Sequence, residues 1–408
     1  MPSTIFAEPS RAAGLERLAA FLPRAGRYAR ERNFDRGPGG HVSVSGLSPY
    51  LRHRLILEEE VLSAVLSRHA ASTVEKFVDE VFWRAYFKGY LERRPWIWAA
   101  YREHLARDRA ALRDDGALRA RHDAAVEGRT GIDAFDAWAR ELLETGYVHN
   151  HARMWFASIW IFTLRLPWTL GADLFYRRLL DGDPASNTLS WRWVGGLHTR
   201  GKTYLARADN IARYTEGRFA PTGLSAFAPP LEEPEGPPPR PTPPAAAALD
   251  GTPSLLLVTE EDLAPEIGPL ADATVLAVAG ASAADRRSEA GASEAVLAFA
   301  AAAVADGVGR AAAHFGAPAI PLSDLSADAL ESAARAAGAA RIATAYAPVG
   351  PVRALLAAAK RPLEERGIVL ATVRRGYDTR AWPFADGSFF RLRSRIPRLL
   401  EPLLAERS

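Results

Sequence analysis

The 408-residue chain contains no cysteine. Disulfides, thiolate-held metals, cysteine-ligated clusters and cysteine nucleophiles are therefore excluded. Only two methionines occur. No GxGxxG follows an apolar run in either half, and no phosphate-binding P-loop is present. Metal-ligand spacing is missing as well: His149 and His151 stand two residues apart, which on a helix turns them to different faces. No Ser–His–Asp arrangement stands out. The first thirty residues lack the long apolar core of a secretory signal. The alanine-rich stretch 294–304 reads as too short and too weakly hydrophobic to span a bilayer. These absences lead to the expectation of a soluble, cytoplasmic, monomeric protein without a metal or a membrane partner.

Composition is globular, with 48% hydrophobic and 24% charged residues. The formal net charge of +3 conceals an asymmetry. Residues 1–220 carry 33 Lys and Arg against 26 Asp and Glu, and the remainder carries 18 against 22. Within 151–220 the count is 10 against 5. Such a local excess suits a polyanionic partner, or equally an arginine-rich solvated surface.

Two patterns divide the chain. Over 1–225, apolar residues recur at three- and four-residue spacing, as in TVEKFVDEVFWRAYFKGYLER, which predicts an all-α domain. Residues 226–253 are dense in proline, which blocks helix and sheet, and read as a semi-rigid linker. Over 254–408, short Val-, Ile- and Leu-rich runs (SLLLV, TVLAVAG, RIATAYAP, GIVLATV) alternate with alanine-rich helical stretches. That alternation predicts a doubly wound, Rossmann-like parallel sheet.

The densest chemistry lies between Thr145 and Trp193. This segment holds Trp155, Trp160, Trp168, Trp191 and Trp193, the aspartates Asp181 and Asp183, and Asn150 and Asn187. Such a set can build an aromatic core, a stacking platform for bases or an electron-hopping chain beside a redox cofactor. Upstream, Tyr28 precedes the serine-rich run Ser45-Gly-Leu47-Ser48-Pro-Tyr. Hydroxyls and N–H groups ahead of a helix can hold a phosphate, or Ser45 or Ser48 can simply cap it. In DEVFWRAYF, helical spacing puts Glu80, Trp83 and Arg84 on one face, which an ordinary Glu–Arg pair would also explain.

Taken in order, SGLSPYL, DEVFWRAYF, TGYVHNHARM, LLDGDPASN and SWRW make the chain from about Gly14 to Phe219 resemble the FAD-binding helical domain of the photolyase/cryptochrome family. The resemblance implies FAD. It assigns Tyr28, Ser45, Leu47 and Ser48 to the diphosphate, although Val44 stands where a threonine is usual. It assigns Arg84 to the flavin side, and Arg153 with Asp181 to an ion pair against the isoalloxazine. Asp183 falls near the pyrimidine edge, and Asn187 faces flavin N5. Glu80, Trp83, Asn150, Met154 and Trp193 match the residues that contact a flipped cyclobutane pyrimidine dimer, implying DNA, single- or double-stranded, as partner and dimer splitting as activity. A receptor that binds FAD and signals without repair is the alternative. Trp191 and Trp168 match two members of an electron-transfer chain. Its third should fall near Leu112 to Asp115, where no aromatic stands, leaving Trp96, Trp98, Tyr101, Trp155 or Trp160 as substitutes.

After Trp193 the family pattern departs. Arg200, Lys202 and Arg207 follow as candidate DNA-phosphate contacts, or as a solvated basic turn. The family ordinarily carries its α/β antenna domain first, whereas the α/β stretch stands second here. A circular permutation is the expectation; an antenna pigment is not specified by any motif.

Overall fold

The computed structural model describes residues 8–42, 44–244 and 249–405. In chain order the helices are α1 (Arg11–Phe21), α2 (Tyr28–Glu31), α3 (Ser48–Arg52), α4 (Glu58–Arg68), α5 (Ala71–Arg93), α6 (Pro95–Asp114), α7 (Gly116–Val126), α8 (Asp133–Thr145), α9 (Asn150–Ser158), α10 (Trp168–Arg178), α11 (Pro184–Val194) and α12 (Ala208–Tyr214). After these come strands β1 (Ser254–Thr259) and β2 (Val275–Ala281), helix α13 (Glu294–Phe315), β3 (Ala319–Ile320), α14 (Ala327–Ala336), β4 (Arg341–Ala345), α15 (Pro351–Glu365), β5 (Val369–Val373), α16 (Gly376–Ala381), α17 (Phe389–Arg393) and α18 (Ile396–Ala405).

Helix in the first part and a parallel sheet in the second match the expected fold class. The compact units, however, do not follow the proline-rich boundary. One unit comprises Arg27–Gly46 and Arg94–Pro238; the other comprises Glu8–Gly26, Leu47–Arg93 and the described part of Pro239–Ser408. Each draws on more than one stretch of chain.

Among its described residues the first unit contains helices and irregular segments but no strand. Its helices start and stop on local signals. Pro95 opens α6 at a position where a missing N–H costs nothing. Asp115 caps α7 by accepting from Ala117 N and Leu118 N at 2.9 and 3.0 Å. Gly146, left-handed at φ 66, ends α8. Helix α9 loosens into a π turn over Ile159–Thr163, closed by Leu164 N donating to Ile159 O at 2.9 Å. Phe135, Trp138, Trp155, Phe156, Trp160, Phe175 and Trp191 are buried together, Phe135 on Phe156 at 4.2 Å and Trp138 on Trp155 at 5.4 Å.

The proline-rich stretch has no helix or strand in its described part, as its composition requires, and 245–248 lies outside the described residues. It is lashed down rather than loose. In the first unit, Leu231 N donates to Gly195 O at 2.9 Å, Arg192 pairs with Glu233 at 2.6 Å, and Gly236 lies against the Trp96 indole. In the second, Arg240 N donates to Arg93 O at 2.7 Å and Arg374 donates to Pro243 O at 2.8 Å.

The second unit contains a five-stranded parallel sheet in the order β3-β2-β1-β4-β5. Four strands coincide with the apolar runs. The fifth, β3, is two residues long between Pro318 and Pro321, so no apolar run announces it. The stretch judged too short for a membrane span is in fact part of a 22-residue helix, α13, long and apolar enough to qualify by length and composition. It packs on the sheet through Val296, Phe299, Ala300, Ala303, Val304, Gly307 and Ala311, the placement of a crossover helix.

Doubly wound sheets hold ligands beyond the carboxyl ends of their strands, where the strand order reverses. Here that point lies between β1 and β4. The residues that leave β1 are Glu260, Glu261 and Asp262, all buried. Glu261 and Asp262 engage guanidiniums, and Glu260 accepts from the Ser282 hydroxyl. Arg52 donates to both Glu261 oxygens at 2.8 and 3.0 Å. Arg375 donates to both Asp262 oxygens at 2.5 and 2.6 Å. Arg54 donates to both Asp378 oxygens at 2.8 Å and to Glu58 at 3.3 Å, and stands 3.7 Å from Asp262. Its backbone is left-handed at φ 50, a strain of about 1–3 kcal/mol that only an over-determined surrounding sustains.

Burial alone would raise the Asp262 and Glu58 carboxyls. Arg375 and Arg54 outweigh it for Asp262, and Arg54 and Lys88 for Glu58, so both stay below the ordinary carboxylate range. Carboxyls depressed in the folded state stabilise it above their unfolded value, and that contribution disappears as pH falls through the folded value. We expect urea midpoints to fall on acidification below about pH 4. At neutral pH, Asp378→Ala, which leaves Arg54 buried beside one fewer partner, should cost about 3–5 kcal/mol. The exposed pair Arg361–Glu365 is the control, and Glu365→Ala should cost under about 0.5 kcal/mol.

Candidate functional site

The turn between α10 and α11 gathers most of the expected residues of the first unit. Arg153, one turn into α9, donates Nη1 and Nη2 to Asp181 at 3.1 and 2.9 Å, and its Nε to Val148 O at 2.8 Å. All three directions of the guanidinium fork are thereby fixed, with Tyr147 beneath it at 5.5 Å. Leu180 N donates to Gly146 O at 3.0 Å and brings Asp181 alongside the end of α8. Asp183 is the N-cap of α11, accepting from Ser186 N at 2.7 Å, with Pro184 at the first helical position. One turn on, Asn187 donates its amide to Ala172 O of α10 at 2.8 Å. Beside it, Thr188 Oγ1 is buried without a hydrogen-bond partner.

The helix faces around this turn are aromatic. Trp191 is buried against Phe175 at 5.2 Å and Trp160 at 6.3 Å, both edge-on. Gly171 makes that approach possible, since a Cβ there would overlap the Trp191 ring and lie 2.9 Å from Trp160 Cε2. Trp168 meets Tyr101 at 5.6 Å, and Tyr101 meets the half-buried Trp98 at 5.3 Å. Of the five suggested substitutes, Tyr101 and Trp98 thus lead away from Trp168, while Trp160 adjoins Trp191. Trp155 packs instead on His151 and Trp138. Trp96 lies beneath the proline-rich stretch.

Asn150 is exposed at the start of α9, Met154 is half-buried one turn on, and half-buried Trp193 stacks on Tyr204 at 5.6 Å. Arg200 and Lys202 are exposed on a turn. Arg207 is exposed too, but Asp209 holds it at 2.6 Å, so it presents less free charge than its type suggests. Tyr28 opens α2 and Ser45 sits in an irregular stretch, each half-buried.

A buried polar cluster in this unit escapes the sequence reading. His41 lies 3.0 Å from Glu141, whose carboxyl is raised by burial despite that bond. His41 also stacks on His149 at 5.5 Å. Burial first, then the nearby His41, His151 and Arg153, push His149 down to about 3, so it is a neutral acceptor, taking the His151 N–H at 3.3 Å. Asp35 accepts from Trp138 Nε1 at 2.8 Å and Gly37 N at 3.0 Å. The only signal in the sequence is an aspartate ahead of a Gly-Pro-Gly-Gly turn.

The second unit carries the other expected residues. Leu47, not Ser45 or Ser48, occupies the cap position of α3, and Ser48 is its first residue. Glu80, Trp83 and Arg84 share α5 and are half-buried. Arg84 Nε and Nη2 are shielded from solvent and make no hydrogen bond. Trp83 lies flat on Phe389 of α17, with centroids 3.8 Å apart and planes 13° from parallel.

Comparison with known proteins follows this geometry. Residues 77–223 match the family model described as the FAD binding domain of DNA photolyase. A deoxyribodipyrimidine photo-lyase from Thermus thermophilus is 37% identical over 198 residues, 48% of this chain and 45% of that protein. One from Streptomyces griseus is 30% identical over 223 residues, 48% and 47% of the two chains. The chain therefore spans about half the length of the curated relatives it matches. Among solved structures, a class III photolyase from Agrobacterium tumefaciens aligns over 51% of this chain and 43% of its own, at 27% identity and TM-score 0.42.

The packing around Trp191 gives a direct test. Gly171→Ala adds a methyl where two indoles leave no room and should destabilise the protein by about 1–3 kcal/mol. A lowered Tm with shifted tryptophan emission is the expected result; an unchanged Tm would mean the α10–Trp191 approach is looser than described.

Proposed function

We propose, from the premise that the chain belongs to the photolyase/cryptochrome family, that it is a FAD-dependent, light-driven lyase that splits cyclobutane pyrimidine dimers in DNA. The observation that carries this reading is the α10–α11 turn of the first unit. There the Arg153–Asp181 ion pair, the Asp183 cap and the anchored Asn187 hold in place residues that the resemblance assigns to a flavin, which supports the reading.

The residues fit FAD on two counts. Thr188 Oγ1 beside Asn187, and Arg84 Nε and Nη2 in the second unit, are buried polar groups whose hydrogen bonds the protein itself does not supply. A bound group with acceptor atoms satisfies such donors. Tyr28, Ser45, Leu47 and Ser48 complete the cofactor assignment. Bound and reduced, FAD supplies an electron to the dimer.

The remaining roles belong to the chain. Trp83 and Trp193 offer apolar faces to a lesion that cannot stack in the duplex. Met154 fills irregular space beside it. Asn150 and Glu80 bring hydrogen-bonding groups, Glu80 toward charge that develops on the dimer. Arg200 and Lys202 meet phosphates. The α/β stretch, second in the chain, fits a circular permutation of the family's usual order. A receptor that binds FAD and signals without repair is the second reading, favoured by one observation: Phe389 already covers a face of Trp83.

Asp183→Ala should abolish the blue flavin absorption of purified protein, because the α11 cap and the cofactor contact go together. Glu80→Ala should keep the flavin and lower light-dependent repair of dimer-containing DNA about tenfold to a hundredfold. Absence of repair by the fully reduced wild type, flavin bound, would replace the lyase with the receptor.

A further inference from the structure

Within the second unit, the residues after α16 run back across α5 as a strap. Tyr86 donates its hydroxyl to Gly387 O at 2.8 Å. Phe389 follows, 5% exposed, lying flat on Trp83 and edge-on to Tyr86 at 5.7 Å. Arg393 then donates to both Asp79 oxygens at 2.9 and 3.1 Å and to Glu75 at 2.6 Å. These anchors fall on Glu75, Asp79, Trp83 and Tyr86, one face of α5 over three turns. Two stacked rings 3.8 Å apart leave no space between them for a third.

We infer that the 386–393 segment is an internal occupant of the Trp83 platform, competing with a flipped base for the same aromatic face. This rests on the reading of Trp83 as a lesion-facing residue and adds a regulation that the reading does not contain. The chemistry of the contact supports competition. Phe389 gives Trp83 the same face-on π contact that a pyrimidine ring would give. The segment is anchored by side-chain ion pairs, by the Tyr86–Gly387 bond and by the buried side chains of Phe389 and Leu392, while Phe390 between them stays 74% exposed. An occupant that must leave divides the apparent affinity for the lesion by the fraction of protein in which it has left.

The test uses full-length, flavin-loaded protein and a single-stranded oligonucleotide containing one cyclobutane thymine dimer, with an undamaged oligonucleotide as control. Binding is read by fluorescence anisotropy in the dark. Phe389→Ala should tighten binding of the dimer about tenfold and leave the undamaged strand unchanged. Phe389→Leu, which keeps the apolar fill but loses the stacked ring, should move in the same direction and covers the case in which the alanine variant fails to fold. Adding Trp83→Ala should erase the gain. If wild type and both Phe389 variants bind the dimer equally tightly and Trp83→Ala weakens all of them, the platform stands and the internal occupant is refuted. If no protein prefers the dimer over the undamaged strand, the lesion reading itself fails and the inference falls with it.

Discussion

The second unit depends on charges that have no water to lean on. Arg52, Arg54, Glu58, Lys88, Glu261, Asp262, Arg375 and Asp378 are all buried, and each cationic fork meets a carboxylate. Ions in such a place are tolerable only when fully paired, so the network admits few partial solutions. It joins α3 and α4 to the exit of β1 and to α16, elements more than two hundred residues apart in sequence. Replacing the whole set by apolar residues of matching volume leaves such a unit as stable or more so. Removing one member does not, because its partner stays behind. The same ions set the character of the α/β half: acids at the exit of β1 close to anionic ligands the place where doubly wound sheets commonly receive them.

The first unit is organised by the opposite means. Its interior is largely aromatic, with buried polar side chains such as Asp173, Glu141 and Asp35 each held by a partner. Asp183, proposed above as a flavin contact, shows how a structural duty can position such a side chain. The residue that starts α11 is an aspartate because the helix needs a cap, and the cap fixes a carboxylate beside Asp181 and one turn before Asn187. Arg153 is held by three acceptors and cannot wander.

What could be read from the sequence follows from this contrast. Local signals were legible: the proline-rich stretch as neither helix nor strand, and the Val- and Leu-rich runs as strands. Order and spacing of five short motifs carried the flavin assignment, since each role sits on one helix or one turn. Pairings across long separations were not legible. Arg54 reads as an ordinary surface arginine, because Asp262 and Asp378 lie far downstream and nothing local marks its burial. Phe389 is one of seventeen phenylalanines, and only the fold shows that it lies on Trp83. The proline-rich stretch looks like a domain boundary by composition, yet the chain before it supplies helices to both units.

That interleaving bears on how the protein is made. A ribosome delivers about 5–20 residues each second. Arg54 therefore emerges roughly 15 to 65 seconds before Asp378, the carboxylate that accepts from its Nη2. Until then α1 and α3 to α5 have their arginines and apolar faces in water with no sheet to receive them, while Arg94–Pro238 has most of its own partners already in hand. Synthesis order thus runs against folding order for the amino-terminal helices. The chain has to keep an early segment soluble and uncommitted through most of its own translation, and a nascent-chain chaperone would find its longest-lived client surface there.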